Sequence, residues 1–144
     1  MSFCEIKTPP EFSSEIEKWD RDTLADGEKM GNVIEELLNN TVYNNVGISR
    51  MNNEIELTLP TSGWSASAPY TQIVNVPGLK ETDKVQMMSA IKTDTAVATA
   101  DIWDKMGALV KAGKALDGQA VFYCPKKKPT SDFNIKLVGV STNE

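Results

Sequence analysis

The sequence contains no histidine. That absence excludes Ser-His-Asp and Cys-His nucleophilic catalysis and zinc sites built on imidazole, and it removes the commonest general base near neutral pH. Cysteine is nearly absent as well, with Cys4 and Cys124 alone. They lie far apart in the chain, without the short spacing of a redox pair or a metal site, and are expected to be free thiols. No uninterrupted apolar run reaches the roughly 18 residues that a membrane span needs. The opening MSFCEIKTPPEF has no charged segment followed by an apolar one, so no secretory signal is expected. Basic charge is scarce too: 15 Lys and Arg stand against 20 Asp and Glu, for a net charge of −5. Coating nucleic acid requires the opposite balance. No Gly-x-x-x-x-Gly-Lys cradle for phosphate is present. Nothing in the composition calls for a metal or a cofactor.

What remains is enough for one ordinary domain with an extension, at 144 residues and 40% hydrophobic content. Residues 1–25 read as an N-terminal arm. Pro9 and Pro10 oppose a helix, and the charged stretch that follows carries isolated apolar residues, among them Phe12, Ile16 and Trp19. These three are the candidate anchors by which an arm docks on a neighbouring surface. The carboxylates of this stretch, Glu15, Glu17, Asp20, Asp22 and Asp26, lie on a polar segment and read as solvated charge rather than as an acid–base pair.

Residues 26–40 carry a different pattern. Met30, Val33, Ile34, Leu37 and Leu38 follow the spacing of one helical face. Asp26 is placed to cap this helix and Asn39 and Asn40 to end it. So short a helix is marginal alone, and its stripe needs a partner. Two partners are open, the chain's own C-terminal domain and the same helix from other copies; the second is preferred because a spacer follows, which makes these five residues the candidate oligomer interface. Residues 41–54, rich in asparagine, read as a linker.

From residue 55 the apolar period becomes two. Strands are expected at 55–60, 69–77, 84–91, 119–125 and 132–140, with Ile55, Leu57 and Leu59 on one face of the first. Tyr70, Gln72, Val74 and Val76 share a face of the second, and Phe133, Ile135 and Leu137 a face of the last. Pro77-Gly78 and Asp117-Gly118 mark turns. A helix over 99–113, capped by Thr99, presents Ile102, Trp103, Met106, Leu109 and Val110. The expected fold is therefore α+β. An N-terminal arm and oligomerisation helix precede a small antiparallel β domain, residues 55–144, with one covering helix. Lys126, Lys127 and Lys128 are expected at the exposed tip of a hairpin joining the last two strands. Trp64, flanked by Gly63 and Ser65, is expected to plug one end of the domain core, with a subunit contact and a sugar-stacking surface as the other readings.

The string GWSASAPYTQIVNVPGLKETDKV resembles a module of bacteriophage structural proteins, mostly from phages of Gram-positive hosts. Its marks are a Trp-Ser, then Pro-Tyr-Thr-Gln, an alternating strand, Pro-Gly, and an Asp-containing turn. The later ADIWDKM, AVFYC and FNIKLVGV, and the earlier LADGEKMGNVIEELLNNTVYN, extend the resemblance over most of residues 23–140. Such proteins are head fibres, tail fibres or baseplate-associated fibres, and are commonly trimers. The resemblance implies a non-enzymatic virion protein, a short fibre or decoration protein assembled in the host cytoplasm, homotrimeric, and docked on other virion proteins by its N-terminus. This chain lacks long shaft repeats. The alternative is a receptor- or glycan-binding module whose exposed loops touch the host surface. An enzyme is the remote third reading. No nucleic-acid or membrane partner is expected.

Overall fold

The computed structural model describes residues 3–18 and 27–141. The chain divides into two compact units, Met1–Ser49 and Arg50–Glu144.

In the first unit, residues 3–18 form an extended arm without regular structure. It runs along helix α1, Gly27–Asn52, between Tyr43 and Lys29. Trp19 and Asp26, the expected anchor and cap, lie outside the described residues. The helix corrects the expected boundary. It spans 26 residues, about 39 Å at 1.5 Å per residue, and continues through residues 41–52, where a linker is expected. Asn39 and Asn40 do not end it, because their amides are occupied elsewhere: Asn39 Nδ2 donates to the Glu35 carbonyl one turn back and to the Glu5 carbonyl of the arm. The propensity penalties of the later asparagines are only tenths of a kcal/mol each, and tertiary packing outweighs them.

After α1, the described residues of the second unit hold six strands and one further α-helix: β1 Glu54–Leu59, β2 Tyr70–Asn75, β3 Gln86–Ser89, α2 Val97–Gly107, β4 Ala112–Leu116, β5 Gln119–Cys124 and β6 Phe133–Val138. They make two antiparallel three-stranded sheets, ordered β1-β6-β3 and β2-β5-β4. The fold is α+β, as the periodicity implied. Alternation sets which side is buried. Phe133, Ile135 and Leu137 of β6 face the core, as do Ala120, Phe122 and Cys124 of β5. Residues from both sheets meet in one cluster with Leu59, Trp64, Val76 and Leu79, and Trp103 and Met106 of α2 pack against it. Each fully buried aliphatic or Phe side chain contributes about 1.5–3 kcal/mol.

Three local expectations are corrected. Helix α2 begins at Val97 and ends at Gly107, so Thr99 lies inside it and does not cap it. The residues expected to continue it enter β4 instead, because Lys111 N–H bonds to the Tyr123 carbonyl and Ala112 pairs with Tyr123. The third concerns the last two strands, which do not form a hairpin. β5 lies between β2 and β4 and β6 between β1 and β3, so residues 125–132 cross from one sheet to the other.

The turns follow their chemistry. Leu79 N–H bonds to the Val76 carbonyl at 3.1 Å around Pro77-Gly78, with Gly78 at φ 87°, the arrangement of a type II turn. This turn leans on the Asp117-Gly118 turn through Val76 N–H to the Gly118 carbonyl and Gly118 N–H to the Leu79 carbonyl, both at 2.8 Å.

Asp83 ties the end of the described chain to the domain. Its carboxylate accepts from the Ser141 hydroxyl at 2.6 Å, the Ser141 N–H at 2.8 Å and the Lys80 N–H at 3.0 Å. Burial works against its charge, but these hydrogen bonds and the Arg50 charge outweigh it and hold the carboxyl below its ordinary range. A depressed folded-state value means stability that is complete above the ordinary Asp range near 3.9 and is lost as pH falls through the lower folded value. Asp83→Asn, which cannot accept at both oxygens, will therefore melt lower than wild type at neutral pH. The gap will narrow below about pH 4, as thermal melts across pH 3 to 7 will read.

Candidate functional site

The expected interface residues lie on α1, and the helix extends the pattern beyond them. Steps of four and three link Met30, Ile34, Leu37, Thr41, Asn44, Ile48 and Met51. With Ile34, Thr41 and Ile48 at position a, the others fall at position d of a heptad. A 3.5-residue period keeps one line of the helix facing one direction over its whole length. That line is open. Met30 is 42% exposed, Ile34 55%, Leu37 51%, Ile48 57% and Met51 72%. Val33 and Leu38, also expected at the interface, are half-buried and flank the line at positions g and e. All five expected residues therefore share one side of the helix, and Ile48 and Met51 continue it. The signal that could have found them is the same four–three alternation, interrupted to the eye by polar Thr41 and Asn44.

The arm covers the opposite side and reaches the g flank at Asn40. Asn39, at position f, presents its amide to the arm as a strand presents a peptide group. Its Oδ1 accepts from Lys7 N–H at 2.8 Å and its Nδ2 donates to the Glu5 carbonyl at 3.1 Å. Asn40 repeats this at Ser13, accepting from its N–H at 2.7 Å and donating to its carbonyl at 2.9 Å. Asn39 is 5% exposed. The ring of Phe12 tilts against that of Tyr43, with centroids 5.7 Å apart. An exposed ion pair of Lys7 with Glu11 at 2.8 Å adds little. Of the expected anchors, Phe12 thus meets its own helix while staying 55% exposed, and Ile16 is half-buried. Removing both amides, by Asn39→Ala with Asn40→Ala, will free the arm. Each buried pair contributes about 1 kcal/mol, so amide exchange at Lys7 and Ser13 will accelerate by roughly an order of magnitude.

Lys126, Lys127 and Lys128 are exposed, but on the crossover between sheets. The crossover is pinned: Pro129 is fully buried, Thr130 N–H lies 3.3 Å from Met106 Sδ, and Asp132 accepts from Thr61 N–H and hydroxyl at 2.7 and 2.8 Å. Those two bonds hold the Asp132 carboxyl below its ordinary range. The Lys128 ammonium sits 5.8 Å from the centre of the Tyr70 ring, within cation–π range. Cys4 and Cys124 are both free; burial pushes the Cys124 thiol up, against the nearby Lys111 charge.

Trp64 is buried in the core cluster, as expected of a plug. Its indole N–H and the Gln72 side-chain oxygen are both buried without a hydrogen-bond partner among the described residues. No helix among the described residues is long and apolar enough to cross a membrane. Comparison with family models, curated proteins and solved structures finds no match.

Proposed function

We propose that this chain is a non-enzymatic virion structural protein, a short homotrimeric fibre or decoration protein. In this reading α1 is the oligomerisation element, the β domain is exposed, and the N-terminal region meets other virion proteins. One observation carries it: an apolar heptad line on a 26-residue helix stands exposed while the opposite face is already occupied by the arm. A helix of this composition gains little from propensity, so its exposed line needs covering to be worth forming. The heptad period supports another helix as the cover, since a supercoiled partner follows a 3.5-residue line along its length, and a copy of α1 carries the matching period.

The widening of the line by Leu38 at position e favours three helices, which bury a broader stripe than a two-stranded seam does. The phage-fibre resemblance of the Trp64 to Val85 stretch points the same way. A second reading, a parallel dimer, is favoured by Ile34 and Ile48 at a with Leu37 at d, the combination typical of two strands. Burial of Trp64 counts against the glycan-stacking use of that ring and so against the receptor-binding alternative. Sedimentation equilibrium of the full chain decides the assembly. A mass three times the 15.8 kDa chain is expected, twice that value selects the dimer, and a monomer at all concentrations overturns the oligomer.

A further inference from the structure

We propose that the cleft between strands β3 and β4 receives an extended, acidic peptide strand from a partner protein. This surface belongs to the β domain and does not rest on the oligomer reading.

The two sheets part at one margin. β3 closes the order of the first sheet and β4 that of the second, so each offers an edge unpaired on its outer side. Between them lies a cleft of about 290 Å³, lined by Val85, Met87, Val110, Ala115, Phe122 and Leu137. The register explains why it is hollow. Gly113 stands opposite Phe122 and Ala115 opposite Ala120, so the core-facing side of β4 carries only the smallest residues there. Across the cleft Met87 is paired with Leu137 on the core-facing side of its sheet, yet it is 38% exposed. The core is one row of side chains short at this margin. The volume is at the low end for a small-molecule site and fits an anchoring side chain better than a cofactor.

An added strand satisfies both features. Its backbone pairs with an open edge while alternate side chains drop into the apolar cleft. Neither β3 nor β4 carries proline; the guards they do have are the four-residue length of β3 and Lys114 on β4, and an acidic strand is the partner that Lys114 does not repel. The charge at the rim states the partner's sign. Lys84 and Lys111 are exposed and have no ion pair among the described residues, and Lys114 meets Glu81 at a loose 3.5 Å in a pair that is mostly exposed. The carboxylate in the lining, Asp83, is engaged by Ser141 and Lys80 N–H. A carboxylate-bearing strand therefore finds cations waiting, against the chain's overall charge of −5. A second copy is the poorer occupant, since pairing the same margins face to face opposes the same lysines. The chain's own extended acidic arm is held by Asn39 and Asn40.

The test is a titration of the isotopically labelled full chain with the blocked peptide acetyl-Glu-Val-Glu-Phe-Glu-Val-Glu-amide, followed by amide chemical shifts. A matched peptide with lysine for every glutamate is the control. Shifts will concentrate on β3 and β4 and saturate, and the lysine peptide will bind about tenfold more weakly. Lys84→Glu with Lys111→Glu, both at exposed positions, will reverse that preference. Ala115→Leu, which fills the cleft, will weaken both peptides. Three results overturn the proposal: saturating peptide that leaves β3 and β4 unmoved, equal binding of the two peptides, or edge shifts that grow with protein concentration alone, which would give the margin to a second copy.

Discussion

On the proposed trimeric reading, Leu37→Asp will leave the full chain a 15.8 kDa monomer at concentrations where that reading has wild type assembled. Leu37 sits at position d in the middle of the apolar line and is half exposed on the isolated helix, so the change leaves the single chain nearly undisturbed. In an assembled seam the same position is enclosed. Each copy then buries a carboxylate with no cation beside it, and the copies bring like charges together at the axis. Burial of even an uncharged polar group without a partner costs about 2 kcal/mol or more, and a charge costs more still. Three such penalties exceed what a seam with Thr41 and Asn44 in two of its layers can offset. Asn32→Asp, at position f on the far side, will leave the mass unchanged. Equilibrium sedimentation of both variants reads the result. An unchanged mass for Leu37→Asp would mean that the line on α1 is not the contact.

Trp64→Ala will destabilise the β domain by about 3–5 kcal/mol, the range for deleting a buried large aromatic. That is a fifth or more of the 5–15 kcal/mol typical of a whole domain, and it corresponds to a fall in melting temperature of roughly 15–30 °C. Trp64 is 5% exposed and contacts the core shared by both sheets, and the loop that carries it is closed by Ser65 N–H to the Thr71 carbonyl and Thr71 N–H to the Ser65 hydroxyl. Trp64→Phe will cost far less, about 1–2 kcal/mol. It keeps most of the ring and also removes a buried N–H that has no partner among the described residues, whose desolvation opposes folding. Urea unfolding followed by circular dichroism separates the two variants. Equal losses for Phe and Ala would show that the indole N–H is bonded in solution.

Gly63 shows why this tryptophan sits among small residues. A Cβ there would overlap the amide of Gln72, which is 3% exposed. The sequence shows Gly63 and Ser65 flanking the ring. It does not show that the space they leave is taken by a glutamine from β2.

Five of the six strands among the described residues are legible in the sequence, and the inward faces of β1, β2 and β6 follow from alternation, because a half-buried strand must place every second residue in the core. The amphipathic start of α1 is legible for the same reason at a period of 3.6. The Pro77-Gly78 turn is legible from the φ > 0 that glycine supplies. Only the tertiary structure decided the rest. β4, spelled AGKAL, has no apolar alternation strong enough to declare itself; its pairing with β5 makes it a strand. Which sheet each strand joins is a matter of long-range hydrogen bonding, so the crossover at Lys126, Lys127 and Lys128 reads in sequence like a hairpin. The extension of α1 to Asn52 was hidden because Asn39 and Asn40 are local helix-enders by propensity, and what overrides propensity is distant: peptide groups at Glu5, Lys7 and Ser13, more than twenty residues away, occupy the amides that would otherwise have closed the helix.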